Sequence, residues 1–160
     1  EHEAARVRRE ANPEPEPTSA RYGSRCPICL EEWDVNTPGV FRSCCCRKVC
    51  KSCNDKIGLE ACPLCRIPCP NDDAEQLAQL RRHVENEVPE AIWHLGSAYN
   101  RGWYGLVKSD KKAAKIWKRA VELGNVYAMR NLGTLYRDGS GVKLDKKKAE
   151  RLYRMAADRG

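Results

Sequence analysis

Apolar residues return at every third or fourth position from residue 73 onwards, which is the spacing of one face of an α-helix. The first such stretch has four aliphatic positions, Leu77, Leu80, Val84 and Val88. Asp72 or Asp73 precedes it as a candidate N-cap, and Glu75 places negative charge in the first turn. The pattern predicts a helix over about 73–87.

The pattern of small, leucine and aromatic residues then occurs twice. The first copy contains Ala91, Leu95, Gly96, Tyr99, Gly102, Ala113, Trp117, Ala120 and Gly124, and the second contains Ala128, Leu132, Gly133, Tyr136, Gly139, Ala149, Tyr153, Ala156 and Gly160. The matching positions lie 37 residues apart up to Gly102 and 36 residues apart from Ala113 onwards. A repeat of this length indicates a solenoid of helix pairs. The expected helices cover about 89–101, 110–123, 125–137 and 145–159. We expect the small residues to let paired helices approach closely, while the aromatic side chains fill the remaining space.

The first part of the chain lacks this periodicity. Residues 3–10 can form a short charged helix, but the prolines that follow disrupt helical structure, so 1–24 is predicted to be a solvated tail. Nine of the ten cysteines lie between Cys26 and Cys65. So short a stretch cannot bury a sufficient apolar core, and a covalent or metal staple is expected.

The cysteines form three C-x-x-C pairs and one triplet: Cys26 and Cys29, Cys50 and Cys53, Cys62 and Cys65, then Cys44, Cys45 and Cys46. A closed zinc site takes four thiolates in a tetrahedron. The three pairs and two members of the triplet supply eight ligands, which predicts two Zn²⁺ ions. A disulfide framework and a single redox pair are the alternatives, but neither explains three pairs in so short a stretch.

Composition narrows the class of protein. The net charge is +7 and the mean hydropathy is −0.70, and no apolar run has the length of a membrane span. No secretory leader is visible, so we expect a cytoplasmic or nuclear protein and no membrane partner. Phosphate-binding loops, serine elbows and paired-carboxylate motifs are likewise absent from the sequence.

The repeats carry a family resemblance. The stretch NLGTLYRDGSGVKLDKKKAERLYRMAADRG resembles the Sel1-like repeat, a relative of the tetratricopeptide repeat. In the first copy Trp103 is inserted before Tyr104, in the turn between the two helices. The resemblance implies stacked helix pairs with a concave surface that binds a protein substrate or adaptor, and it implies no catalysis.

The cysteine-rich stretch resembles a RING finger, because it begins with C-P-I-C followed by Leu30 and ends with C-P-L-C followed by Arg66. His2, His83 and His94 all lie outside it, so the likeness is to the all-cysteine variant. The resemblance implies a cross-brace, in which alternate ligand pairs share a zinc ion. It places Cys26, Cys29, Cys50 and Cys53 in one site. Cys62 and Cys65 join two of the triplet in the other. Two pairings are open: Cys44 with Cys46 keeps one residue between the ligands, and Cys44 with Cys45 resembles variants that read C-C-G-K. Cys45 is favoured first, Cys44 next and Cys46 last.

The RING resemblance also implies a ubiquitin ligase that docks a ubiquitin-loaded conjugating enzyme and has no nucleophile of its own. Ile28 inside the first C-x-x-C, together with Pro63 and Leu64, would form the docking surface, and Arg66 would bridge enzyme and ubiquitin. Ile28 and Leu64 are alternatively core residues, and Arg66 a solvated surface residue. In RING fingers a large side chain often precedes the last cysteine pair, but the corresponding segment here, 57–60, contains no tryptophan. Trp33, in the first loop, is expected to cover the module.

Three other functions compete with this one. The zinc module could be a non-catalytic scaffold, or Cys69 or Cys46 could carry ubiquitin covalently. The basic runs on the second helix of each repeat could bind nucleic acid, but Trp117 and Tyr153 fall on the apolar side and do not interleave with the charges as a stacking platform would. The sequence thus predicts a mainly α protein with a RING-like zinc module over 25–70, a linking helix over 71–88, and Sel1-like repeats over 89–124 and 125–160.

Overall fold

The computed structural model describes residues 25–32, 39–57 and 60–159. A two-stranded hairpin and one short helix precede five longer helices, in agreement with the mainly helical fold predicted. The elements are β1 (Val40–Arg42), β2 (Arg47–Val49), α1 (Lys51–Ile57), α2 (Asp73–Glu85), α3 (Pro89–Arg101), α4 (Asp110–Glu122), α5 (Val126–Asp138) and α6 (Lys146–Ala157). The predicted tail over 1–24, Trp33, and positions 58 and 59 of the segment before the last cysteine pair lie outside the described residues.

Capping side chains set where four of the long helices begin. Asp72 is the N-cap of α2 and accepts a hydrogen bond from the Glu75 N–H at 2.7 Å, which decides between the two aspartates considered from sequence. Ser109, Asn125 and Asp145 cap α4, α5 and α6 in the same way. Helix α5 consequently begins one residue later than predicted, because Asn125 is its cap and not its first helical residue.

The four helices from α3 to α6 form two antiparallel pairs around a continuous core. Helix α3 packs on α4 and α5 packs on α6, while contacts between α4 and α5 join the two pairs. Met129, Ala113 and Ala128 are completely buried there. Gly141, in the turn after α5, lies close to the start of α4. An added Cβ would stand 2.4 Å from the Asp110 carbonyl carbon, and the φ of +68° also favours glycine at this position.

The β-hairpin has one face toward its own small module and one toward the repeats. Val40 pairs with Val49, and these residues pack with Cys26 and Cys53 in a small cluster. Phe41 pairs with Lys48 on the opposite face, and both contact residues of α3. Side chains alternate between the faces of a strand, so one hairpin joins the cysteine module to the first repeat.

Helix α2 is more than a connection. Its Leu77 and Leu80 are buried in a cluster with Cys46 of the module and with Ala91 and Leu95 of α3. The helix therefore lies between the cysteine module and the first repeat and packs against both. None of the helices in the described part of the chain combines the length and apolarity that a membrane crossing requires.

Candidate metal centre

Two groups of four cysteines come together in the folded module. Cys26, Cys29, Cys50 and Cys53 form the first group, and Cys44, Cys45, Cys62 and Cys65 form the second. Within each group the sulfur atoms all lie within 4.8 Å of one another. In chain order, the first and third ligand pairs share one group and the second and fourth share the other. This is the interleaved arrangement that the RING resemblance implied.

Two turns of the same geometry supply the C-P-x-C pairs. In the first turn the Leu30 N–H donates to the Cys26 carbonyl at 2.9 Å, and in the second the Arg66 N–H donates to the Cys62 carbonyl at 2.8 Å. Leu30 and Arg66 both have a φ of +61°, in the left-handed region. Each turn is closed by an isolated bridge, Arg25 with Glu32 and Ala61 with Pro68. The identical spacing of C-P-I-C-L and C-P-L-C-R was the sequence signal for this pair.

The triplet divides between the metal group and the hydrophobic core. It forms the tight turn between β1 and β2, with Cys46 at a φ of +54°. Cys44 and Cys45 join the second group, and the Cys45 sulfur lies 3.8 Å from that of Cys62. Cys46 instead enters the cluster formed with α2 and α3. Of the two pairings considered from sequence, the geometry favours Cys44 with Cys45.

The first cysteine of each C-P-x-C turn is easily ionised. Burial raises the pKa of the Cys26 thiol, but backbone N–H groups, first of all that of Cys50, outweigh burial and lower the pKa from 9.0 to about 6. The same balance, with the Leu64 N–H as the largest lowering cause, brings the pKa of Cys62 down to about 7. Each group therefore contains one sulfur whose thiolate is stabilised by the backbone.

Cys45 and Cys53, one in each group, resist ionisation as long as no cation is among the sulfurs. Burial, together with the neighbouring Cys62, raises the pKa of Cys45 to about 11. Contact with Cys50, followed by burial, raises the pKa of Cys53 to about 12. Adjacent thiolates repel one another, and a bound divalent cation removes that penalty. Both groups could hold metal ions, and four sulfurs each are the donor set that zinc prefers in structural sites.

The predicted docking residues lie in the two turns, Ile28 in the first and Pro63, Leu64 and Arg66 in the second. Ile28 is 37% exposed, Arg66 is exposed, and Pro63 is half-buried. Leu64 is half-buried and packs against the cluster that contains Cys26 and Val49. The core interpretation considered for Leu64 therefore has structural support, while Ile28 and Arg66 present their side chains to solvent.

The two candidates for a covalent intermediate occupy unlike environments. Burial raises the pKa of Cys46 to about 12, with Cys45 and Glu90 adding to the effect, so this thiol is a poor nucleophile. Cys69 is half-buried and accepts a hydrogen bond from the Arg42 guanidinium at 3.3 Å. None of the ten cysteines, all of which lie in the described part of the chain, forms a disulfide in the structure.

Sequence reasoning missed the residues that attach the module to the repeats. The His94 ring stacks on Phe41 with 3.9 Å between ring centroids, and its Nε2 is 2.8 Å from the Tyr104 hydroxyl. The His83 ring nitrogen Nε2 is 3.0 Å from the Cys44 carbonyl oxygen. These histidines lie outside the cysteine stretch, and only the fold brings them against it.

Comparison with known families identifies the second half of the chain. Residues 89–125 and 126–160 each match the Sel1 repeat, so the chain carries two Sel1 repeats, as predicted. No match to a RING or zinc-finger family was found. Sel1 repeats generally mediate protein–protein binding, which supports a protein-interaction adaptor.

Curated relatives match parts of the chain. The chain is 28% identical over 75 residues to chitin synthase regulatory factor 3 of Schizosaccharomyces pombe, covering 47% of this chain and 8% of the relative. It is 36% identical over 55 residues to a cytochrome c oxidase assembly factor 7 homolog of Drosophila melanogaster, covering 34% and 21%. Identity to cytochrome c oxidase assembly factor 7A of Xenopus laevis is 27% over 118 residues, covering 68% and 51%. The chain thus spans about half the length of these relatives at most.

Solved structures show the same fold. A protective antigen of uropathogenic Escherichia coli that displays an SLR fold superposes with a TM-score of 0.55 and 31% identity, covering 58% of this chain and 20% of the antigen. A Sel1 repeat protein from Oxalobacter formigenes superposes with a TM-score of 0.50 and 28% identity, covering 53% and 35%. These likenesses support a Sel1-type helical solenoid.

Proposed function

We propose that this protein is a RING-type ubiquitin ligase whose zinc module docks a ubiquitin-loaded conjugating enzyme and whose Sel1 repeats recruit the protein to be modified. The observation that carries the proposal is the interleaving of the two cysteine groups. That arrangement brings the turn containing Ile28 and the turn containing Arg66 into one compact module, although they lie far apart in the sequence.

Zinc would be held by the eight grouped cysteines, with Cys26, Cys29, Cys50 and Cys53 in one site and Cys44, Cys45, Cys62 and Cys65 in the other. A closed thiolate site leaves no coordination position for substrate, so the metal has a structural role. Its binding energy stabilises a module whose apolar cluster is small.

In the proposed reaction a lysine amine of the substrate attacks the thioester carbonyl that links ubiquitin to the conjugating enzyme. An isopeptide bond forms, the C–S bond breaks, the sulfur leaves as the enzyme's thiolate, and the amine releases one proton to solvent. The ligase holds the two proteins in a reactive orientation and lowers the entropic part of the barrier. The planar Arg66 guanidinium can donate to two carbonyl oxygens at once, which suits it to hold ubiquitin against the enzyme.

The repeats supply the adaptor half of the proposal. Two of the matching relatives are named as assembly factors and one as a regulatory factor, and these names are compatible with a protein-interaction adaptor. The close packing of Phe41 on His94 would keep the bound substrate and the docked conjugating enzyme at a fixed separation.

The packing of the cysteine module and α2 against the first repeat favours a second function. A solenoid needs a cap over the apolar face of its first repeat, and Cys46, Leu77 and Leu80 cover Ala91 and Leu95 of α3. The cysteine module with α2 would then be a metal-stapled cap on a non-catalytic scaffold.

Ubiquitin-chain formation with purified activating enzyme, a panel of conjugating enzymes and free ubiquitin separates the two functions. We expect chains with the wild type, few or none with Cys26→Ser, and at least about tenfold slower formation with Arg66→Ala, which corresponds to roughly 1.4 kcal/mol. Arg66→Lys should recover only part of the rate, since it keeps the charge and loses the planar fork.

Arg151→Ala, which removes an exposed arginine on α6, is the matched control and should leave the rate unchanged. A wild-type protein that contains two zinc ions yet makes no chains with any conjugating enzyme would reject the ligase and leave the scaffold. Full activity of Arg66→Ala would reject the bridging role alone.

A further inference from the structure

A groove of about 600 Å³ lies between the β-hairpin and the inner face of both repeats. The hairpin contributes Phe41 and Lys48 at one end, and the turn after α5 contributes Ser140 at the other. Its volume lies within the range of ligand-binding pockets in proteins. Neither the metal groups nor the turns that carry Ile28 and Arg66 take part in it.

Equivalent positions of the two repeats line this groove. Helix α3 presents His94, Ser97 and Arg101, and helix α5 presents Asn131, Thr134 and Asp138 at the corresponding places. Residues spaced by three and four share one helical face, so each helix offers a polar ladder about 10 Å long. An extended peptide rises about 3.3 Å per residue, so this ladder faces about three of its residues.

Two residues that line the groove each have a buried polar atom with no hydrogen-bond partner among the described residues. The atoms are Nε1 of Trp93 and Nδ1 of His94. A buried indole N–H without an acceptor costs about 1–3 kcal/mol. A ligand that brings a carbonyl or carboxylate oxygen to Trp93 would remove that penalty.

The charges in the groove favour an acidic ligand. Asp138 is paired with Arg137, and Asp110 accepts a hydrogen bond from Asn100 at 2.7 Å. Arg101 and Lys108 flank the same turn and form no ion pair within the described part of the chain. The groove therefore presents two cations that lie outside the ion pairs of the described residues. Of its two carboxylates, Asp138 is paired with Arg137, and Asp110 keeps its charge because Asn100 is neutral.

We infer that this groove binds an extended peptide segment of a protein partner that places Asp or Glu side chains against Arg101 and Lys108. The Trp93 indole N–H donates to a carbonyl or carboxylate oxygen of that segment, and the polar ladders bind its backbone. This inference deepens the adaptor role proposed above by naming the chemistry of the partner, and it holds whether or not the module is a ligase.

The same features disfavour a nucleic acid in this groove. A continuous phosphate chain would meet the carboxylates of Asp110 and Asp138, whereas a peptide can place its few acidic side chains beside the cations. The aromatic rings are also engaged, because Lys48 lies over Trp93 and Arg101 lies over Trp103. Stacking of successive bases needs uncovered ring faces.

Selection from a phage-displayed library of random twelve-residue peptides on the zinc-loaded chain tests the inference. We expect the selected peptides to be enriched in Asp and Glu, and their binding to weaken as salt is raised. Fluorescence anisotropy with the strongest peptide should show at least about tenfold weaker binding to the double variant Arg101→Glu, Lys108→Glu. Trp93→Phe, which keeps an aromatic ring and removes the N–H, should weaken binding about five- to tenfold.

The double variant Lys115→Glu, Lys118→Glu changes net charge by the same amount on exposed positions of α4 that do not line the groove, and should bind within about twofold of wild type. Equal loss in both double variants, or a library that yields no acidic peptides, would overturn the inference. So would mixed-sequence single-stranded RNA that binds more tightly than the peptide and is released by the Arg101 and Lys108 changes. Ubiquitin-chain formation should not change in the groove variants, so failure of the ligase proposal and failure of this one are distinguishable.

Discussion

The Trp117 indole lies directly against Gly96, so that a Cβ added to Gly96 would stand 2.4 Å from both Cδ1 and Nε1 of the ring. The indole N–H donates to the Trp93 carbonyl at 2.9 Å, and Trp117 is only 2% exposed. The second repeat has the same arrangement, since a Cβ added to Gly133 would stand 2.9 Å from Cε1 of Tyr153. Close helix contact in each repeat therefore depends on one glycine and one aromatic residue from the partner helix.

Gly96→Ala should destabilise the repeats. Alanine stabilises a helix by about 0.5–1 kcal/mol relative to glycine, but overpacking of a buried ring costs about 1–3 kcal/mol. We expect a net loss of about 1–2 kcal/mol in the free energy of unfolding, measured by urea unfolding. Gly133→Ala should lose less, because Tyr153 is only half-buried and has room to shift.

Lys115→Ala, at an exposed position of α4, is the control and should remain within about 0.5 kcal/mol of wild type. A Gly96→Ala protein as stable as wild type would show that α3 and α4 can separate without cost, contrary to the packing described here.

The buried His94 should make the interface between module and repeats sensitive to acid. Burial, with a smaller effect of Lys48, lowers the pKa of His94 from 6.5 to about 4. The contribution of neutral His94 to the free energy of unfolding is complete above pH 6.5, its pKa in the unfolded chain. That contribution is lost as pH falls from 6.5 to 4, because the unfolded chain then binds a proton at this residue and the folded chain does not. The expected loss is about 2 kcal/mol at about pH 5, and about 3 kcal/mol once pH falls below 4.

His94→Phe keeps a ring on Phe41 and cannot titrate. Urea unfolding of both proteins at about pH 7.5 and about pH 5 gives the difference, in which contributions of the cysteines and other groups cancel. The variant should lose about 2 kcal/mol less than wild type over this interval. Parallel pH profiles for the two proteins would contradict the assignment.

The three adjacent cysteines should have separable roles. Cys45→Ala should reduce bound metal from two ions per chain to about one, because it removes a member of the second group. Cys46→Ala should keep both ions and lose about 1–2 kcal/mol of stability through lost contacts with Leu77 and Leu80. Elemental analysis of the purified variants gives the metal content, and loss of an ion from Cys46→Ala would reverse the assignment of the triplet.

The helices and the cysteine pairs were predictable from sequence because both depend on local spacing. Helical periodicity placed α3 to α6 within about two residues, and the C-x-x-C spacing indicated the ligand pairs. Which pairs share a group was implied by the RING resemblance and not by spacing. The contact of His94 with Phe41 was not predictable, because it joins residues far apart in the chain through no repeating pattern. The division of the triplet followed from the turn geometry of Cys46, and spacing alone left two pairings open.

Removal of metal should affect the two halves of the chain unequally. Among the described residues, the cysteine module contains one helix, α1, with seven residues, while five helices of twelve or thirteen residues lie outside it. A zinc chelator should therefore unfold the module and leave most of the far-ultraviolet circular dichroism of the helices intact. The repeats should then melt at lower temperature, since Phe41 and Cys46 no longer cover α3.

The double variant Cys26→Ser, Cys62→Ser should behave like the chelated protein without a chelator. Collapse of most of the helical signal in either case would show that the repeats have no stability of their own, and an unchanged melting temperature would show that the module does not cap them.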